Sequence, residues 1–116
     1  MFITFCKSKI AHATITEAEL YYEGSITVDE SILEAVGIIA GEKVEILNLN
    51  NGTRIETYTI AGKSGSGAIC LNGPAARSGV VGDKVIILSY ALVDAKEAKG
   101  TKTKVVYLDE KNKIRK

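Results

Sequence analysis

The alternation of hydrophobic and polar positions predicts a chain made mostly of short β-strands. Eight segments have the period-two pattern or the short apolar run that is typical of strands. They lie at residues 2–10, 13–15, 25–28, 43–49, 53–60, 68–71, 84–92 and 103–108. The segment 84–92 is apolar enough to predict burial on both faces. The pairs Asn51-Gly52 and Gly73-Pro74 predict tight turns, and the glycines and serines at 62–67 predict a flexible connection.

Two short helices interrupt the strands. Asp29 is a typical N-cap residue, apolar side chains follow at helical spacing as far as Val36, and Gly37 supplies the stop. Residues 94–99 predict one or two further helical turns. Short strands, tight turns and two small helices together predict a mainly β fold, in the form of a closed β-barrel.

The composition is that of one globular domain over residues 1–116. Fifteen basic and fourteen acidic residues leave a net charge of +1, which argues against nucleic-acid binding. No apolar run has the length of a membrane helix and the N-terminal segment lacks a signal-peptide pattern, so we expect a cytoplasmic protein. Cys6 and Cys70 have no metal-binding spacing and predict two buried thiols. Because His12 is the one histidine, we expect no metal site.

The dipeptide Gly24-Ser25, within the run YYEGSITVD, is a candidate for backbone self-cleavage. Glycine permits conformations in which a peptide bond is strained. Attack of the Ser25 hydroxyl on the Gly24 carbonyl would convert the amide into an ester. Elimination would then leave dehydroalanine, which hydrolyses to a pyruvoyl group, so the chain would make its own electrophile. Taken alone, a Gly-Ser pair is more often an ordinary turn.

The segment 53–60 carries the densest candidate chemistry. Alternation places Arg54, Glu56 and Tyr58 on one face of the strand, with Ile55 and Thr57 on the other. Arg54 and Tyr58 are therefore predicted to face the same space. Without further context, the arginine is a solvated cation, the tyrosine belongs to the core, and Thr57 is a β-branched residue suited to a strand.

Five segments, in order along the chain, resemble the bacterial aspartate 1-decarboxylase family of pyruvoyl-dependent enzymes. They are KSKI at 7–10, TITEAELYYEGSITVDESIL at 14–33, NLNNGTRIETYTI at 48–60, CLNGPAAR at 70–77 and VGDKVIILSYA at 81–91. The resemblance covers the chain from about residue 7 to residue 107. It implies a double-psi β-barrel with small helices, assembled as a homotetramer with its sites at subunit interfaces.

The resemblance also implies an activity. Self-cleavage would give residues 1–24 and residues 25–116, with a covalent pyruvoyl group derived from Ser25 as the cofactor. That group would form a Schiff base with the amine of L-aspartate and act as an electron sink. The products would be CO₂ and β-alanine for pantothenate and coenzyme A biosynthesis. Whether a helper protein speeds maturation is left open, as is the acceptance of other amino acids.

Site residues are carried over from the family motifs position by position. Arg54 would pair with a substrate carboxylate, because its guanidinium fork matches a carboxylate and stays charged. Lys9, in KSKI, would help to hold the dianionic substrate. Tyr58 would donate a proton to the carbanion left when CO₂ departs, since a phenol is protonated at neutral pH.

Further positions in the family motifs concern maturation and the pocket wall. Thr57 would donate to the Gly24 carbonyl oxygen during self-cleavage and would contact substrate. The loop formed by Asn72, Gly73, Pro74 and Ala75 would line the substrate pocket, where small residues let a ligand approach the backbone. Read without the resemblance, this loop is a simple turn.

The sequence departs from the family pattern at two places. KIHRA or KLHRV is usual after the first lysine, whereas this chain has KIAHA, with Ala11 and His12. Successive strand residues point to opposite faces, so His12 is not expected to replace a histidine at position 11. Substrate affinity and the rate of self-cleavage are the properties this change puts in doubt. Pro74 replaces a more usual alanine and removes one backbone donor.

The alternative hypothesis is a non-catalytic or unprocessed β-barrel interaction module. Such a module would not need Ser25, Arg54 and Tyr58 together, whereas the enzyme requires all three. A barrel that keeps the fold but remains an uncleaved precursor, because of Ala11, is a further possibility.

Overall fold

Eight strands form one mixed sheet in the computed structural model, which describes residues 1–115. In chain order the elements are β1 (Phe2–Thr14), β2 (Glu17–Glu19), β3 (Ser25–Asp29), α1 (Glu30–Val36), β4 (Lys43–Asn48), β5 (Arg54–Gly62), β6 (Ile69–Asn72), a 3-10 helix (Gly73–Arg77), β7 (Lys84–Asp94), α2 (Ala95–Ala98) and β8 (Lys104–Tyr107). Their order in the sheet is β2-β6-β3-β5-β4-β7-β1-β8. The mainly β prediction is confirmed.

The sheet curls into a small barrel around one core. The pairs β1/β8, β2/β6 and β3/β5 are parallel, so their connections cross the barrel instead of forming hairpins. Main-chain hydrogen bonds do not close the barrel within residues 1–115, since β2 and β8 are the two edges. The core side chains come from both helical and strand segments and include Ile10, Ile15, Ile26, Val28, Leu33, Val36, Ile46, Ile69, Leu71, Val85, Ile87 and Leu108.

Helix α1 forms where the sequence predicts it. The Asp29 side chain accepts a hydrogen bond from the Ser31 N–H at 2.8 Å, and Gly37 ends the helix with a φ of 74°. The same carboxylate accepts from the N–H groups of Gly65 and Gly67 at 2.9 and 2.8 Å. The predicted flexible connection at 62–67 is therefore anchored to the start of the helix.

Other predictions need correction. β7 is not buried on both faces: Val85, Ile87 and Ser89 are buried, but Tyr90 and Leu92 are exposed. β1 is one strand with two irregularities in its pairing instead of two segments. β2 was not predicted, because its three residues, EAE, are polar and exposed. Gly73 begins a 3-10 helix instead of a simple turn. Cys6 is only half-buried, whereas Cys70 is buried as predicted.

Candidate active site

The Gly24-Ser25 bond lies where the chain enters β3. Ser25 is the first residue of that strand and is fully buried, while Gly24 belongs to the exposed connection from β2. The Ser25 hydroxyl donates to the Glu23 carbonyl oxygen at 3.2 Å. A buried hydroxyl at the end of an exposed loop is an arrangement that an ordinary solvated turn does not require.

Asn72 is the direct neighbour of Ser25. The two residues are paired across the antiparallel strands β3 and β6, and Asn72 is 3% exposed. Its Nδ2 group donates to Ser25 Oγ at 2.9 Å and to Thr27 Oγ1 at 2.9 Å. Its Oδ1 atom accepts from Cys70 Sγ at 3.1 Å. A buried polar cluster therefore surrounds the serine.

The loop after β6 packs against the candidate cleavage segment. Gly73 has a φ of 64°, and a Cβ atom added there would come within 2.9 Å of the Gly24 nitrogen and closer still to the Tyr22 carbonyl oxygen. Only glycine permits this approach without a shift of the backbone. A Cβ atom added at Gly24 would in turn lie 3.5 Å from Pro74 Cδ. The next residue, Ala75, is buried.

Thr57 and Tyr58 lie on β5, the other neighbour of β3. The parallel register pairs Ile26 with Thr59, and continuing it by one residue brings Ser25 level with Tyr58. One residue more brings Gly24 level with Thr57. The predicted alternation holds, because Arg54, Glu56 and Tyr58 are exposed while Ile55 and Thr57 are partly buried.

Arg54 and Lys9 lie on a different part of the chain's surface, here called the Arg54 face. Arg54 is paired with Leu47, which is paired with Ile86; Lys9 is paired with Leu88, which is paired with Glu45. Because residues level with one another share a face of a sheet, these side chains project from one side of β5, β4, β7 and β1. The Arg54 face consists of Lys9, Glu45, Leu47, Arg54, Ile86 and Leu88.

The Arg54 face is separated from the serine within one chain. Arg54 is four residues from Tyr58, a span of about 13 Å along a strand. Three strands, β5, β4 and β7, lie between β3 and the strand of Lys9. The structure therefore brings together Gly24, Ser25, Asn72, Gly73 and Pro74, with Ala75 following in the same loop and with Thr57 and Tyr58 on the adjoining strand. It does not bring Lys9 or Arg54 to them.

Arg54 is engaged by an acidic partner of its own chain. Its Nη1 atom donates to Glu45 Oε1 at 2.8 Å. Both residues line an open cleft of about 560 Å³ together with Lys43, Glu56 and Tyr90. Burial raises the pKa of Tyr90, and the neighbouring Glu45 carboxylate raises it further, so this phenol is a protonated donor beside the ion pair.

The departure at positions 11 and 12 coincides with an irregularity in β1. The pairing with β7 shifts between Ile10 and Ala13, and His12 has a φ of 63°. Ala11 is 4% exposed, whereas His12 is exposed with its ring centroid 5.7 Å from that of Tyr107. His12 therefore does not occupy the buried position of residue 11, and the prediction that it would not do so is confirmed.

Thr27, Cys70 and Glu45 are site neighbours that the sequence reasoning did not single out. Thr27 and Cys70 are each two residues from a candidate site residue, Ser25 or Asn72, so strand periodicity put them on the same face. Glu45 carried no comparable signal, because its contact with Arg54 depends on the register of β4 against β5. Within residues 1–115, we find no group of three or more His, Cys, Asp or Glu side chains able to hold a metal ion. Nor does any helix in that range have the length and apolarity to cross a membrane.

The fold and the site define a class of protein: a small β-barrel in which a buried serine, preceded by glycine, is bound by an asparagine of the neighbouring strand. The family model described as aspartate decarboxylase matches residues 1–115. The chain is 60% identical to an aspartate 1-decarboxylase of Carboxydothermus hydrogenoformans, over 98% of this chain and 90% of the relative. It is 58% identical to that of Acetivibrio thermocellus and 60% identical to that of Listeria monocytogenes, with the same coverage. The chain belongs to the aspartate decarboxylase family.

Proposed function

We propose that this chain is an aspartate 1-decarboxylase, which converts L-aspartate into β-alanine and CO₂ for pantothenate and coenzyme A biosynthesis. Family membership over residues 1–115 supports the reaction. The observation that carries the proposal is the buried Ser25 hydroxyl, which is bound by Asn72 beside the close approach of Gly73 to Gly24. The alternative, a non-catalytic interaction module, gives no reason for this arrangement.

Maturation is proposed to begin at the Gly24-Ser25 bond and to divide the chain into residues 1–24 and 25–116. Thr57, level with Gly24 when the register of β3 and β5 is continued, would donate its hydroxyl to the Gly24 carbonyl oxygen. Enzymes of this family depend on a pyruvoyl group, and we assign its origin here to Ser25. When formed, that group serves as an electron sink for the bond to the departing carboxylate.

Substrate binding is proposed to need a second copy of the chain. The guanidinium of Arg54 suits a substrate carboxylate, and Lys9, on the same Arg54 face, adds positive charge. Leu47, Ile86 and Leu88 are only partly buried there, so the face offers apolar area to a partner. Docked against the Ser25 side of another subunit, it would supply both cations. We therefore propose that the sites lie at subunit interfaces, within the homotetramer that the family resemblance implies.

Tyr58 and the loop after β6 complete the proposed site. Tyr58 is 38% exposed and level with Ser25 in the continued register, so its hydroxyl is suited to deliver a proton at the substrate Cα. Asn72, Gly73 and Ala75 offer polar and backbone groups to the substrate. Pro74 contributes its ring to the packing against Gly24 and has no N–H to donate.

Two further proposals concern the setting of the enzyme. We propose a cytoplasmic location, which agrees with the two free thiols, Cys6 and Cys70, of the described residues. We also propose that Ala11 slows self-cleavage relative to family members with histidine there, so that a helper protein is useful. A comparison of cleavage rates for the natural chain and Ala11→His tests this point.

The proposed function is tested by comparing the natural chain with Ser25→Ala. β-Alanine release from L-aspartate and the denatured intact mass are measured on the same samples. We expect the natural chain to cleave and turn over, and Ser25→Ala to do neither. Ser64→Ala, an exposed serine in the 62–67 connection, is the matched control and should behave like the natural chain. Turnover by Ser25→Ala would overturn the pyruvoyl mechanism.

A further inference from the structure

Three neighbours on two paired strands engage the Asn72 amide completely. Ser25 is paired with Asn72, and Thr27 is paired with Cys70, so these four polar side chains share one face of β3 and β6. Each hydrogen of the Nδ2 group has an acceptor, Ser25 Oγ or Thr27 Oγ1, both at 2.9 Å. The remaining atom, Oδ1, is held by the Cys70 thiol at 3.1 Å.

Of these three neighbours, Cys70 is the one that donates to the acceptor end of the amide. An asparagine amide can be rotated by half a turn, which exchanges its donor and acceptor ends. The Thr27 hydroxyl can donate or accept and fits either orientation, whereas the Ser25 hydroxyl donates to the Glu23 carbonyl oxygen and therefore accepts from Asn72. The Cys70 thiol donates to Oδ1 at 3.1 Å, and its other acceptor, the Leu71 carbonyl oxygen, is more distant, at 3.9 Å. Donation to Oδ1 therefore stabilises the orientation in which Nδ2 faces the serine.

The Cys70 thiol is protonated and can therefore donate a hydrogen bond. Cys70 is 8% exposed. Burial raises the pKa of its thiol, and the carboxylates of Glu17 and Glu19 on the adjacent strand raise it further. Cys70 therefore carries its proton over the whole neutral range.

We propose that Cys70 is a positioning residue for self-cleavage, which holds the Asn72 amide so that an N–H group points at Ser25 Oγ. The proposal rests on the self-cleavage proposed above. It assigns to Cys70 a role in making the electrophile, through Asn72, without direct contact with the reacting atoms.

The N–H group points at Ser25 Oγ, on which negative charge develops in the second step of self-cleavage. In the first step the Ser25 Oγ to Gly24 carbon bond forms, the Gly24 carbon to Ser25 nitrogen bond breaks, and the hydroxyl proton goes to the freed amine. In the second step a proton leaves Ser25 Cα, the Cβ–Oγ bond breaks, and Oγ departs with the electron pair as part of the Gly24 carboxylate. Water then replaces the nitrogen of the dehydroalanine end and ammonia is released. A donor on Oγ stabilises the departing carboxylate.

The test compares cleavage rates of freshly made precursors by denaturing intact mass. We expect Cys70→Ala to slow the appearance of residues 25–116 by about tenfold, the effect of one lost directing hydrogen bond. Cys70→Ser restores a donor and should cleave within about twofold of the natural rate. Cys6→Ala is the matched control, since Cys6 is half-buried on β1, and should leave the rate unchanged. If Cys70→Ala does not fold, Cys70→Val, which refills the space without a donor, takes its place.

The cleavage rate of Cys70→Ser distinguishes a positioning role for Cys70 from a packing role. A Cys70→Ala precursor that keeps pace with the natural chain would overturn the inference, and so would a Cys70→Ser precursor as slow as Cys70→Ala. In both cases the natural chain still cleaves and the proposed function stands. A natural chain that does not cleave at all would overturn the proposed function and this inference together.

Discussion

The surroundings of Ser25 and the Arg54 face are opposite in character. The side chains hydrogen-bonded around Ser25 are neutral, Ser25, Cys70 and Asn72 among them are buried, and the Asn72 amide is fully hydrogen-bonded by residues of the same chain. The Arg54 face combines charged and apolar side chains that are exposed or partly exposed, and Arg54 is bound to Glu45 in an ion pair that a substrate carboxylate would have to replace. Under the proposed function, one chain would supply the surroundings for making the electrophile, and substrate binding would need a second chain.

The largest expected effect is a loss of kcat at Tyr58, which lies between the surroundings of Ser25 and the Arg54 face. Tyr58→Phe removes the proposed proton donor but no group needed for cleavage, so cleavage should proceed and kcat should fall by about a thousandfold. Steady-state kinetics on the fully cleaved variant measures this. Tyr107→Phe, a half-exposed tyrosine beside His12, is the control. If cleaved Tyr58→Phe turns over normally, another group protonates the carbanion.

Gly73→Ala should slow self-cleavage by disturbing the surroundings of Ser25, and it should leave the Arg54 face unchanged. The added Cβ would approach the Gly24 nitrogen and the Tyr22 carbonyl oxygen, so the cleavage segment must move and cleavage should slow by about a hundredfold. A time course of intact mass gives the rate. Gly52→Ala is matched in strain, with a φ of 76° at Gly52, but open space surrounds that position. Equal slowing in both variants would show that strain, and not the contact with the cleavage segment, is responsible.

Arg54→Gln should weaken substrate binding at the Arg54 face, and it should leave the surroundings of Ser25 unchanged. Loss of a charge-assisted contact should lower kcat/KM for L-aspartate by about thirtyfold, mainly through KM, while the cleavage rate stays unchanged. Lys43→Gln is the control, because Lys43 lines the same cleft but forms an exposed ion pair with Glu56. An Arg54→Gln chain that fails to cleave would contradict the separation of the two regions.

The smallest effect is expected on stability at low pH, through Asp29. Burial alone would raise the pKa of this carboxyl, but the hydrogen bonds from Ser31, Gly67 and Gly65 outweigh it and lower the pKa below the ordinary 3.8. The resulting stabilisation is complete above that value and is lost as pH falls through the lower, folded-state pKa. Asp29→Asn should cost about 1 kcal/mol at neutral pH and flatten the acid limb of the stability curve.

Urea unfolding between pH 2 and pH 7 measures this dependence. Glu30→Gln is the control, since Glu30 is exposed in the first turn of the same helix. An unchanged acid limb in Asp29→Asn would show that other carboxyls determine the acid stability.

Local sequence patterns correctly predicted the features of the fold that depend only on residues close together in the chain. The N-cap at Asp29, the stop at Gly37 and the alternation of Arg54, Thr57 and Tyr58 all follow from short-range geometry, and each is found in the structure. The family motifs supplied the candidate residues. Their roles remain predictions.

The features of the site that local patterns did not predict depend on the registers between strands that are far apart in the chain. That Asn72 faces Ser25, or that Lys9 and Arg54 share a face, follows from pairings between strands far apart in the chain, which periodicity does not encode. The error in β7 has a related cause. Its exposed Tyr90 and Leu92 have the hydrophobicity of core residues, although they lie on the surface of one chain.

The most direct test of the separation is complementation between an inactive chain and a chain that binds substrate poorly. Ser25→Ala lacks the electrophile but keeps Arg54, whereas Arg54→Gln is expected to cleave but to bind substrate poorly. The two chains are co-expressed with different tags, mixed oligomers are isolated by both tags, and β-alanine formation is compared with each variant alone. We predict that the mixed oligomers recover turnover, because Ser25 of one chain meets Arg54 of the other. Mixed oligomers no more active than the parent variants would show that both residues of a site come from the same chain.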